Sequence, residues 1–354
     1  MLITRLSCTL QKMIDRKKYT YPVSNPLKGY LHTYQREQIL PLTYQDLKYY
    51  SESIPVLDEK GKDTLWETVL YPSHTAETLH QGLKNIYARL KAAGDTKAQQ
   101  HLFIDRIDYC TFGNSHPFRI RIVNRYNDVY DYFYIKTADA SRVIGLELEH
   151  LLSPNQVHYL TYNEVLVEEH IAGIPGDQFL QLYEHRPEFN PKRIAKEFVK
   201  FNERCFLRLL GDMRAYNFVF DITPDFDAYQ YRIRAIDFDQ QFFEGNKNIY
   251  LPQFFKENFP YVRMVQNLFN SEVVRQYQLE ERAVIARRIR SERHRLKDLR
   301  DAMSMEALST TDKIKQLGEE LAQHYDDPVF SRCKTMGEVL ERSLKRVLIT
   351  TKFK

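Results

Sequence analysis

The stretch "LGDMRAYNFVFD" places Asp212, Arg214 and Asn217 directly in front of a run of strand formers, and "YRIRAIDFDQ" carries a second strand straight into Asp237 and Asp239. Asp and Asn are ordinary turn residues, so either stretch alone is what a surface turn tolerates. Together they offer carboxylate and amide oxygens, the ligands that a magnesium-type cation takes, with an arginine between them. The question is whether the two stretches belong to one site.

The chain has 354 residues, enough for a full core and two or three domains. Hydrophobic residues make up 43% and charged residues 28%, a globular composition rather than a disordered one. The net charge of +4 is too small to argue for a nucleic-acid partner. Apolar runs are too short for a membrane span, and "MLITRLSCTLQKMIDRKK" is too broken and charged for a secretory signal. Cys8, Cys110, Cys205 and Cys333 are widely spaced with no CxxC pair, so they read as reduced thiols of a cytoplasmic protein.

Residues 1–98 read as a mixed, partly helical extension. Its clearest element is "TAETLHQGLKNIYARLKAAG", with Leu79, Leu83, Ile86, Tyr87 and Leu90 on one side and Gly94 as a stop. From Leu102 the texture becomes β-rich. "LFIDRIDYC", "FRIRIVNRY" and "VYDYFYIKT" are followed by the helical "ASRVIGLELEHLL", then by "QVHYLTY" and "EVLVEEHI". After "AGIPGD" come helices, the Asp212 stretch, the strand into Asp237, and a helical remainder. Within that remainder Val273–Ala302 reads as one long helix with a basic second half, residues 282–300. That basic run is either a solvated face or a surface for an anionic partner.

Three strands, a helix, two strands, helices, an Asp-to-Asn loop and a strand ending in Asp resemble the protein-kinase-like superfamily over roughly residues 100–245. The resemblance implies an α+β, bilobal fold. Residues 99–170 would form a five-stranded antiparallel N-lobe sheet with one helix, and 171–354 a mainly helical C-lobe. In the family an Asp orients the acceptor hydroxyl and an Asn five positions on holds a metal ion; Asp212 and Asn217 have that spacing. Arg214 falls where these enzymes often carry a cation for the transferred phosphate. "DMRAYN" is close to the catalytic loop of some tyrosine kinases, and Gly211 is similar to the "HGD" of aminoglycoside phosphotransferases, with Leu210 in place of the His. "DFD" matches the metal-binding DFG motif, which assigns Asp237 to Mg2+; Asp239 in place of glycine resembles HipA-type kinases.

The resemblance further implies that Lys136 pairs the α- and β-phosphates of ATP and is itself held by a helix glutamate, Glu147 or Glu149. The two lie about 200° apart on a helix, and Glu147 borders the stripe of Leu148 and Leu151, so it is the expected partner, with Glu149 nearer the outer face. The phosphate-covering loop "TFGNSHPF" has a single glycine, Gly113, where protein kinases carry three; Asn114 and Ser115 could add backbone N–H groups as an anion nest. The backbone of Glu168, Glu169 and His170 would meet the adenine edge. Lysine, acid and two metal-binding side chains are the smallest set that neutralises and positions a triphosphate. No Ala-Pro-Glu closes the segment after "DFD", which favours a small-molecule or atypical protein acceptor over an ordinary protein-kinase substrate. A non-catalytic module binding a nucleotide or a partner, and nucleotidyl transfer on the same fold, are the alternatives.

Overall fold

Phe118, Ile120 and Ile122 alternate with Arg119 and Arg121 along "FRIRIVN", and in the computed structural model this is a strand with its apolar side fully buried. The structure describes residues 19–91, 100–112, 114–226 and 228–351. It is an α+β chain, about half helical, with antiparallel sheets. The described chain divides into two units: residues 22–143 with 157–170, and residues 19–21, 144–156 and 171–351.

The first unit is built on one sheet. Its strands are β1 (Glu52–Leu57), β2 (Asp63–Leu70), β3 (Leu102–Cys110), β4 (Phe118–Asn124), β5 (Tyr130–Thr137), β6 (Tyr159–Tyr162) and β7 (Val165–Glu169), in the order β1-β2-β3-β4-β5-β7-β6. The five expected strands are present as β3 to β7. The sheet nevertheless has seven, because two strands come from the stretch expected to be a separate, mixed helical extension. They escaped the sequence reading because β1 is almost wholly exposed and interrupted by Pro55, so it carries no apolar alternation. A turn makes the pair: Asp58 accepts from the backbone of Lys60 and Lys62, and Gly61 takes a φ of 75°. Helices α1 (Asn25–Thr33), α2 (Tyr44–Lys48) and α3 (Ser73–Lys91) complete the unit. Leu79, Leu83, Ile86 and Leu90 of α3 are buried in the same core as Ile104, Ile120 and Phe133 of the sheet. Gly94 lies outside the described residues.

Helix α4 (Ala140–Leu152) does not have the expected wet face. Every residue from Ala140 to Glu149 is buried, Glu147 at 0% and Glu149 at 3% exposure. Two acids survive there because each meets an arginine, Glu147 with Arg295 at 2.5 Å and Glu149 with Arg208.

The second unit carries the small sheet β10-β9-β8, with β8 (Ile174–Pro175), β9 (Phe218–Asp225) and β10 (Ala228–Ala235). Around it lie α5 (Gly176–Tyr183), α6 (Pro191–Arg208), α7 (Phe259–Leu268), α8 (Ser271–Ser291), α9 (Arg293–Met303), α10 (Thr311–Tyr325) and α11 (Met336–Thr350). Asn190 accepts from the Arg193 N–H and Pro191 opens α6, a standard helix start. Phe179 stacks on Phe220 at 3.9 Å between ring centres, and Phe218 and Tyr261 close the same cluster. A Cβ at Gly176 would stand 2.2 Å from the Phe218 ring, so only glycine lets α5 start there.

The long basic helix is two helices, broken at Glu292, and much of its charge is spent internally. Arg282 meets Glu203, Arg288 donates to the carbonyls of His150 and Leu151, Arg295 meets Glu147, and Arg300 meets Glu341. Arg287, Arg290 and Arg293 stay exposed, so residues 282–300 combine internal ion pairs with a basic surface.

Candidate active site

Helix α6 ends with Leu209 in the left-handed region, φ 56°, and Asp212 repeats that conformation at φ 55°. Asp tolerates this backbone better than most side chains, and the strain is held by hydrogen bonds to two other segments. The Gly211 N–H donates to the Gln240 carbonyl at 3.3 Å and the Asp212 N–H to the Ile249 carbonyl at 3.2 Å. A Cβ at Gly211 would lie 2.9 Å from the Gln240 oxygen, so the close approach needs glycine. The Phe242 N–H returns to the Leu209 carbonyl, and the Ile236 N–H donates to the Asn217 carbonyl at 3.0 Å. The Asp212 loop and the "DFDQQ" loop are thus laced together, and the two stretches are one site.

Within it, the Asn217 side-chain amide donates to the Asp212 carbonyl at 2.8 Å. This fixes the amide plane and leaves the Asn217 Oδ1 as the atom for a ligand. The Asp212 carboxylate takes the Arg214 Nε–H at 2.7 Å, and Arg214 also reaches Glu257 at 3.3 Å. Burial is the main reason that the Asp212 carboxyl is pushed up to about 6. Arg214 works against this, while Glu257 and Asp239 add to it. Asp237, half-buried, accepts the Asp239 N–H at 2.9 Å, which orients its carboxylate.

Two residues of this site had no signal in the sequence. Asn258, fully buried, donates to the carbonyls of Met213 and Pro252 at 2.8 and 2.7 Å and so clamps the Asp212 loop from the segment after "DFD". Glu257, beside it, is the second partner of Arg214. Both sit in "QFFKENFP", where nothing but proximity in the fold ties them to residue 212.

The groups on the sheet unit are arranged differently from expectation. Lys136 on β5 donates to Glu168 on β7 at 2.8 Å, where the sequence argument had Glu147 as its partner. The physical reason is the ladder. Lys136 stands opposite Leu166 and Tyr134 opposite Glu168, so lysine and glutamate are diagonal neighbours on one face. The Glu168 carboxylate, expected only to lend backbone, is therefore the lysine's counter-ion, and its Oε1 is buried without a hydrogen bond.

The expected adenine contacts are likewise altered, because the Glu169 N–H donates to the His158 carbonyl and the His170 N–H to the Tyr132 carbonyl. Those two donors are used within the sheet. The Glu169 side chain meets Lys91 at 2.7 Å, and the His170 ring lies 3.2 Å from the Tyr134 hydroxyl. Asn114 is exposed and Ser115 half-buried in the bend between β3 and β4, while Gly113 lies outside the described residues.

The donor set at the Asp212 loop is all oxygen, one amide and carboxylates, which fits a hard divalent cation and does not fit zinc or copper. Among the described residues no cluster of three or more His, Cys, Asp or Glu side chains is arranged as a metal cage. An ion held by one carboxylate and one amide takes its other ligands from phosphate and water, as magnesium commonly does. Among the described residues no helix is long and apolar enough to cross a membrane. The sequence matches no protein-family model, and no curated protein resembles it significantly.

Proposed function

We propose that this protein is an atypical, bilobal kinase-like phosphotransferase that uses ATP and Mg2+ in the cytoplasm on a small-molecule or atypical protein acceptor. The observation that carries the reading is the Asn217 amide bonded to the Asp212 carbonyl, because it makes one rigid piece of the acceptor-orienting acid and a metal-binding oxygen. In this reading Asn217 Oδ1 and the Asp237 carboxylate hold the cation, and Lys136 meets the phosphates. Bound there, magnesium would draw charge from the phosphate oxygens.

The chain's own residues do the rest. Asp212, held near neutral titration by burial, accepts the proton of the acceptor hydroxyl. Arg214 fixes the carboxylate's direction and is itself steadied by Glu257. Asn258 keeps the loop backbone in place through Met213.

A second reading is a non-catalytic nucleotide- or partner-binding module, which the Lys136–Glu168 pair would serve equally well. The two separate on Asp212→Ala. The phosphotransferase keeps its nucleotide affinity and loses turnover by about 10²-fold or more, whereas the binding module turns over nothing with either side chain.

A further inference from the structure

In the helical unit, away from the Asp212 loop, a cavity of about 390 Å³ opens between α6, α7 and α8. Its walls are Phe198, Phe254 and Phe259 with valines from all three helices, and its polar lining is amides and a single charged side chain, Arg263. Arg263 is exposed, so it stands at the mouth. Asn202 is already committed, donating to the Phe198 carbonyl and accepting the Gln253 N–H, so it shapes the wall rather than soliciting a ligand.

We propose that this cavity is a binding site for a small aromatic acid, its ring among the phenylalanines and its carboxylate on Arg263. The volume lies in the range that small-molecule sites occupy. Three phenylalanine rings favour a flat aromatic occupant, which can stack offset or edge-on against them. Among the described residues no acid lines the cavity and Arg263 is its one charged group, so the guanidinium selects an anion and matches a planar carboxylate in a forked geometry. The segment that contributes Gln253, Phe254 and Phe259 also contributes Glu257 and Asn258, which hold Arg214 and Met213. An occupant would therefore bear on the groups that fix the Asp212 loop. The proposal does not depend on nucleotide chemistry.

The test is isothermal titration of the full chain with 2-naphthoate and, in parallel, with neutral 2-naphthalenemethanol. The expected result is saturable one-site binding of the acid. Arg263→Gln should weaken it by about tenfold, the value of one charge-assisted bond, and leave the alcohol unchanged. Val262→Trp, which fills the cavity, should abolish both; Val274→Trp from the opposite wall serves if the first variant melts early. Absence of saturable naphthoate binding, or binding indifferent to the tryptophan substitutions in folded protein, overturns the site. Loss with tryptophan but no response to Arg263→Gln overturns the assignment to acids.

Discussion

Lys136 and Glu168 meet at 2.8 Å across two neighbouring strands, with side chains about nine-tenths buried. Such a pair is costly to break one-sidedly, since the remaining charge has no partner and little water. In the phosphotransferase reading the strand glutamate, rather than one from α4, sets the position of the lysine. Glu168→Gln is expected to weaken MgATP binding by about tenfold, while Glu147→Gln shifts it by less than about threefold, its carboxylate being engaged by Arg295. Titration of both variants with MgATP checks this. A larger loss at residue 147 in folded protein would reverse the assignment.

Helix α4 makes a stability prediction. Arg208 is 2% exposed and has Glu149 as its carboxylate. Burial alone would raise the Glu149 carboxyl, yet Arg208 brings it below the ordinary range, so the pair is ionised. Glu149→Gln should cost about 3 kcal/mol or more by leaving that arginine buried and unpaired. Glu147→Gln should cost less, because Arg295 is partly exposed and can turn to water. Urea unfolding of the two variants decides, and equal losses would contradict the account.

Asp212 links stability to pH with a definite sign. Its folded titration near 6 lies above the ordinary 3.8, so the folded state binds the proton more tightly. The stabilising contribution is present below pH about 4 and is lost as pH rises through 6, a swing of at most about 3 kcal/mol. Asp212→Asn should lack that descent, so wild-type stability minus variant stability should fall between pH about 4 and 7. In the phosphotransferase reading, turnover would need the carboxylate and should fall below pH about 6 in the wild type. Parallel stability curves for the two proteins across pH 4 to 7 would refute the assigned titration.

How much of this was legible in the sequence follows from where the information sits. Strands β4 and β5 announce themselves by alternation, whereas β6 and β7 are buried almost throughout and are legible as short β-branched, aromatic or apolar runs. The edge strand β1 does not, because it is almost wholly exposed and has no apolar side to alternate, and its neighbour β2 buries only Val69. The spacing of Asp212 and Asn217 was readable, and their hydrogen bond follows from a tight local turn. The partners of Glu147 and Glu149 were not, since Arg295 and Arg208 lie 148 and 59 residues away in the chain. A stripe argument assumes that one helix face is wet, and here none is from Ala140 to Glu149. Glu168 was picked out for its backbone, but its diagonal relation to Lys136 exists only once the register Tyr134–Glu168 is set. Asn258 and Glu257 illustrate the same limit, as positioning groups that a fold recruits from an anonymous segment.

The most direct measurement is the affinity of the full chain for ATP, by calorimetry, with and without Mg2+, in the wild type and in Asp237→Asn. The account predicts saturable binding that tightens markedly with magnesium, and a variant in which the magnesium-dependent part is gone while the metal-free affinity stays. Wild-type protein that binds no nucleotide, or binds ATP with the same affinity with and without magnesium, would contradict it.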